Sequence, residues 1–337
     1  MTPPQSAASA APAAALSPYE AARRVRAFYR ELIQNLRDVG EQVKPKQGVL
    51  SNSSLEPLRA RCDELLPMLQ QSPDRVMIYL SRSTPDDYLF GKAANLGILA
   101  GRLALQLKQP EREIKQLMMT GWLLYTGLLR TERSDLHNGV LLDDVRDAML
   151  QSAARATAYA LGDTAEASRL RLYWDLRIGP RDGEKSESLP LFAHILDVAE
   201  VYEALTHVRP YRGRALPHDA VKYVIDEGGG GRFDSSVIKA LIQSLSVYPP
   251  GSYVELNNGL LAEVESINPR LPTRPILRPA YNSAGSLLPD TAPLDLSKSP
   301  LIRIQKIVDE MTIELENPRR SLQLRARLWW PVVPADA

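Results

Sequence analysis

Tyr125 and Thr126 stand side by side in the apolar run "GWLLYTGLLR", residues 121–130. Ile114, Met118, Gly121, Tyr125 and Leu128 recur at helical spacing, so one stripe carries Tyr125 inward. A buried hydroxyl is costly without a partner. The pair reads either as a core tyrosine with a local hydrogen bond beside a back-bonding threonine, or as a reactive phenol. Other groups able to do chemistry are few. The four histidines, His137, His194, His207 and His218, include no pair at i, i+3 or i, i+4. A transition-metal site of the usual kind would consume most of them. His194, His207 and His218 read as ordinary helix or turn residues. The single cysteine, Cys62, excludes an internal disulfide and a cysteine-based metal cluster, and suits a reducing compartment.

The elements that position these groups are helices. Ser17-Pro18 opens one over 18–43 with a stripe of Val25, Phe28, Tyr29, Leu32 and Leu36. Further helices are predicted from about Ser54 to Gln71 and after Ser72-Pro73. Thr84-Pro85-Asp86-Asp87 is the sharpest start signal, with carboxylates facing the positive end of the helix dipole. That helix should reach about Lys108. The next begins at Gln109-Pro110 and runs on through Tyr125. Helical spacing returns over 141–162, 166–176 and 191–207, and twice after Pro217 around the Gly228–Gly231 turn. Asn258-Gly259 within alternating residues signals a β-hairpin. A Pro-rich stretch, 269–297, precedes a predicted short helix at about Leu301–Glu314. "SLQLRARLWWPVV" alternates and reads as an edge strand.

The totals set bounds on function. The chain has 337 residues, 41 basic and 40 acidic, with a net charge of +1. That balance gives no general attraction to nucleic acid or acidic membranes. No apolar stretch reaches about 18 residues, so no membrane span is expected. The tail "MTPPQSAASAAPAAALS" lacks an export signal and the apolar content to order itself. A cytoplasmic location is expected.

One segment carries a family resemblance. "VYEALTHVRPYRG" resembles the end of the HD-GYP domain, a bacterial subfamily of the HD metal-dependent phosphohydrolases that hydrolyse cyclic di-GMP. "GGGGRFDSSVIKALIQSL" and "YPPGSYVELNNGLLAEV" with "RPILRP" continue it downstream. "DDYLFGKAANLGILAGRLA" and "LMMTGWLLYTGLL" are similar to its first two core helices. The resemblance implies a mainly α fold: an HD-domain-like helical bundle, with N-terminal leader helices and a small C-terminal β-hairpin. It divides the chain into a tail (1–16), a leader region (17–83), a degenerate HD-GYP domain (84–285) and a Pro-rich extension with a short helix and an edge strand (286–337).

The resemblance also implies what is altered. Active relatives carry a His-Asp pair and further histidines that bind two or three iron- or manganese-like ions, which supply the attacking hydroxide and clamp phosphate. Tyr125 and Thr126 occupy the place of the pair, and Leu129 that of a following lysine. Lys92 and Ser152 stand where histidines belong. Tyr173, Trp174 and Asp175 replace a His-His-Glu run, Arg181-Asp182-Gly183 replaces Gly-Tyr-Pro, and Glu200 replaces an aspartate. Neutral hydroxyls and an ammonium are poor ligands for these ions, so no catalytic metal cluster and no cofactor are expected. Lys92 is read either as an internal partner of Glu200 or Asp175, or as a snorkelling surface lysine. Arg209 and Arg212 match positions that contact substrate phosphates, which arginine's planar fork suits; a purely structural role is the other reading. The expected function is an inactive regulatory module that binds a signalling protein such as a diguanylate cyclase domain. A cyclic di-GMP receptor using Arg209 and Arg212, and a residual phosphodiesterase, are the alternatives.

Overall fold

The structure is a computed structural model that describes residues 18–44, 48–85, 88–130, 155–162, 164–178, 189–208, 213–289 and 291–330. Ser152, Arg181, Asp182, Gly183, Arg209 and Arg212 lie outside these residues, as does the tail.

The described chain is mainly helical. Helices α1 (Pro18–Val43), α2 (Asn52–Gln71) and α3 (Pro73–Met77) precede α4 (Tyr88–Gln106) and α5 (Glu111–Leu123). Residues 155–161 are helical, followed by α6 (Ala165–Ile178), α7 (Leu191–Thr206), α8 (Pro217–Gly229), α9 (Ser235–Leu245) and α10 (Pro318–Ala326). From Tyr88 to Ala104 every residue of α4 is buried. A helix that is covered all round belongs in the middle of a bundle. Its small residues allow that: α5 crosses it where Gly121 backs onto Gly97 with no side chain between them. One core cluster joins the leader residues Phe28, Tyr29, Leu58 and Leu65 to Leu96, Trp122, Ile195 and Leu241.

α9 begins on a cap that fixes its register. The Asp234 carboxylate accepts from Ser236 N at 2.8 Å and Val237 N at 3.2 Å. The Ser236 hydroxyl bond, first, then these amides hold the Asp234 carboxyl below its usual range. Asp234→Ala should therefore destabilise the chain by about 1 kcal/mol. Because the folded state holds the ionised form, that contribution is present above the unfolded carboxylate's range, about 3.9. It should disappear as pH falls through the lowered folded value. Urea unfolding of both proteins across acidic pH checks the direction.

The C-terminal part departs from the expected single hairpin. Asn258-Gly259 does turn β1 (Tyr253–Leu256) into β2 (Leu261–Ser266), with Gly259 at φ +81°. Three more strands join: β3 (Ile276–Tyr281), β4 (Leu294–Asp295) and β5 (Ile304–Val308), in the antiparallel order β4-β3-β2-β1-β5. The helix predicted over Leu301–Glu314 is thus a correction: β5 pairs with β1, Tyr253 opposite Val308. Ile302 and Ile304, two apart, pack against Val254 and Leu256, a strand period that the short window did not separate from a helix. The predicted edge strand in 321–333 is the reverse case. α10 forms because Asn317 caps Arg319 N at 3.0 Å and Pro318 opens the first turn. Ser321, Leu324 and Leu328 turn inward while Leu322 faces out. Among the described residues of this stretch, an isolated bridge, Ser83 with Trp329, keeps extended pairing.

Candidate functional site

α5 does not carry Tyr125 as expected. It ends at Leu123, and a 3-10 turn, Thr126–Arg130, follows. Thr157 from the 155–161 helix receives Gly127 N at 2.9 Å, which takes this amide out of the α-helical ladder. The break leaves Tyr125 buried and lets its hydroxyl donate to Glu200 Oε1 on α7. Thr126 is buried beside it. The Tyr125 partner is therefore a carboxylate seventy-five residues away, not a local backbone group.

Lys92 supplies the opposite charge. Its side chain comes from the fully enclosed face of α4 and is 4% exposed, so the snorkelling reading is corrected. Nζ lies 3.2 Å from Glu203 Oε2, 3.8 Å from Glu200 Oε1 and 4.4 Å from the Tyr125 ring centroid. Glu200 and Glu203 stand one turn apart on α7, so both carboxylates reach one ammonium. The other expected acid, Asp175, is exposed, and no ion pair among the described residues joins it to Lys92.

Trp174 and Tyr173 on α6 close one side. Trp174 meets the Tyr125 ring edge-on, centroids 5.9 Å apart and planes at 81°. The Tyr173 hydroxyl donates to Asp197 Oδ1 at 2.9 Å. On the far side, His207 is wholly buried. Its Nδ1 is 3.0 Å from Glu203 Oε1, and its Nε2 is 3.0 Å from the Ser83 hydroxyl. Asn95 Nδ2, 3.3 Å from His207 Nδ1, donates to the Arg82 carbonyl at 2.9 Å. Glu203, His207, Asn95 and Ser83 were not singled out in the sequence, where His207 read as an ordinary turn residue. The signal was present as spacing: Glu200, Glu203 and His207 fall at i, i+3 and i+7 on one helical stripe.

The described donors do not fit the metal centre that the resemblance implies. The two carboxylates already face an ammonium, and a divalent ion placed between them would be repelled by it. Trp174 presents an apolar ring where a ligand would be required. Among the described residues no group of three or more His, Cys, Asp or Glu could hold a metal ion. What this arrangement can do is hold α4, α7 and the turn after α5 together through charge. Next to it, Arg214 ties the loop after α7 to the sheet, donating to Asp309 at 3.1 Å and also to Glu310. No helix among the described residues is long and apolar enough to cross a membrane.

Comparison with known proteins agrees with this layout. The family profile described as "KOW domain associated with HD domain" matches residues 253–316, the span of the sheet. A cyclic di-GMP phosphodiesterase of Pseudomonas aeruginosa is 25% identical over 209 residues, 60% of this chain and 50% of that protein. A 3'3'-cGAMP-specific phosphodiesterase of Vibrio cholerae is 25% identical over 168 residues, 48% of this chain and 39% of its own. A cyclic di-GMP phosphodiesterase of Vibrio cholerae is 38% identical over 58 residues, 17% of this chain and 12% of that protein. The chain therefore spans half or less of each of these relatives. A helical bundle followed by this matched sheet, with phosphodiesterases among its relatives, supports a likeness to HD-domain cyclic di-GMP phosphodiesterases.

Proposed function

We propose that this chain is a catalytically inactive HD-GYP-like module that acts in bacterial cyclic di-GMP signalling by binding another signalling protein, such as a diguanylate cyclase domain. One observation carries the reading: the Lys92 ammonium lies near Glu203, Glu200 and the Tyr125 ring, and Lys92, Tyr125 and Glu200 stand at positions where the resemblance calls for metal ligands. A fixed ammonium balances the two carboxylates but has no open coordination position and cannot lower the pKa of a bound water as a metal does. The relatives are named as phosphodiesterases of cyclic dinucleotides, which supports a link to cyclic di-GMP signalling. The role left to such a scaffold is recognition through its shape and surface.

Purified full-length chain, exchanged into iron or manganese and then desalted, is the material for the test. Elemental analysis should find well under one metal ion per chain, and cyclic di-GMP should remain intact on prolonged incubation. Calorimetry with cyclic di-GMP at high micromolar concentration should give no binding heat. Stoichiometric iron or manganese with turnover would replace this proposal by a hydrolase. Binding heat that Arg209→Ala with Arg212→Ala removes would replace it by a nucleotide receptor.

A further inference from the structure

Arg82 lies between α3 and α4; its carbonyl accepts from Asn95, while its side chain rests on a separate set of rings. Its guanidinium carbon stands 4.5 Å from the Tyr79 ring centroid and 5.0 Å from that of Trp330. These two rings stack on each other, centroids 5.6 Å apart and planes 25° apart. Tyr29 of α1 stacks in turn on Trp330 at 4.7 Å. Three segments distant in sequence thus build one aromatic platform under one cation. The backbone here is clamped. Ser83 N donates to Leu328 O at 2.8 Å, and Trp330 N donates to Ser83 O at 2.8 Å. The side chain is therefore positioned by its surroundings before any ligand arrives.

Negative charge is the missing component. Among the described residues no carboxylate is within ion-pair distance of Arg82, and its guanidinium donates no hydrogen bond. Its charged neighbours are cations: Arg327 and the exposed Arg26 of α1. Burial first, then the charges of Arg327 and Arg26, pull the Arg82 guanidinium down to about 10. Arg327 has its own partners, Glu263 and the Tyr253 hydroxyl, the latter accepting at 2.6 Å. Among the described residues Arg82 and Arg26 have no carboxylate partner, whereas Arg327 faces Glu263 and also feels Glu310. A guanidinium whose face rests on aromatic rings keeps its N–H edge available, and that edge gives an oxyanion two parallel hydrogen bonds.

We propose that Arg82, held on the Tyr79–Trp330 platform with the charges of Arg26 and Arg327 near it, is a binding site for a small doubly charged oxyanion, a phosphate or phosphomonoester. A doubly charged anion suits two arginines, Arg82 and Arg26, that lack a carboxylate partner among the described residues. The site sits where the leader helices, the start of α4 and the C-terminal segment meet. It lies one residue from Ser83, whose hydroxyl bonds His207.

The test uses the full chain with inorganic phosphate and, separately, phenyl phosphate, at fixed pH and ionic strength. Tryptophan fluorescence and melting temperature are the readouts. Both should change saturably, with half-saturation at roughly 1 mM or below. Arg82→Gln should weaken binding about tenfold through loss of the charge-assisted pair. Arg26→Gln, on an exposed residue whose loss spares the fold, should weaken it roughly threefold through the longer-range charge. Arg270→Gln, an equal change of charge at an exposed turn, should have no effect. Equal affinity for the two probes identifies a free anion as the ligand; tighter binding of phenyl phosphate identifies a phosphomonoester. No saturable response to either probe overturns the proposal, as does an Arg270→Gln effect equal to that of Arg26→Gln.

Discussion

Lys92→Met is expected to lower the unfolding free energy by about 3–5 kcal/mol, the usual effect of removing one partner from a buried ion pair. Methionine keeps the unbranched stem, so the change isolates the ammonium from the packing. The ammonium faces Glu203 at 3.2 Å and Glu200 at 3.8 Å, and all three side chains are at most one-tenth exposed. Water cannot replace the lost charge at such depth. Urea unfolding with an unchanged slope is the measurement. Adding Glu203→Gln to Lys92→Met should recover part of the loss, and the double-mutant cycle gives the coupling directly. A loss below about 1 kcal/mol would put the pair in the class of solvated surface bridges and remove the idea of a built-in cation.

Gly121→Ala should be at least as disruptive to the site for a different reason. A Cβ there would stand 2.6 Å from Gly97 Cα and 2.8 Å from Gly97 N. Those are backbone atoms of the facing helix and have no rotamer to give. α4 and α5 must separate, at a cost of about 1–3 kcal/mol or more. The separation also moves Tyr125, one turn further on, relative to Glu200. Thermal unfolding should show the destabilisation, and near-ultraviolet circular dichroism should show altered packing of Trp122, whose indole lies over Gly97. Gly229→Ala is the control: nothing lies within 4 Å of its added methyl, so stability should hold or rise slightly. An unaltered melting temperature in Gly121→Ala would mean that the crossing is looser than a backbone contact.

The apolar stripe through Tyr125 was legible because burial follows a period of 3.6: Ile114, Met118, Gly121, Tyr125 and Leu128 are all buried. The end of α5 was not legible, because Thr157 breaks the ladder from a helix that is distant in the chain. The C-terminal errors have the same origin in reverse. In β5 the local pattern fitted two periods, and pairing with β1 decided. In α10 an alternating run became a helix because the Asn317 cap and Pro318 outweighed the alternation.

The sequence by itself determined the helical class, the position of the hairpin turn at Asn258-Gly259 and the inward place of Tyr125, since these rest on spacing and on residue-specific backbone preferences. The tertiary structure alone decided which charges meet: Lys92 with Glu203 and Glu200 instead of Asp175, His207 with Ser83, and Arg82 with Tyr79 and Trp330. Electrostatic partners are set by distance and burial in space, and residues 92 and 203, or 82 and 330, become neighbours only after the helices pack.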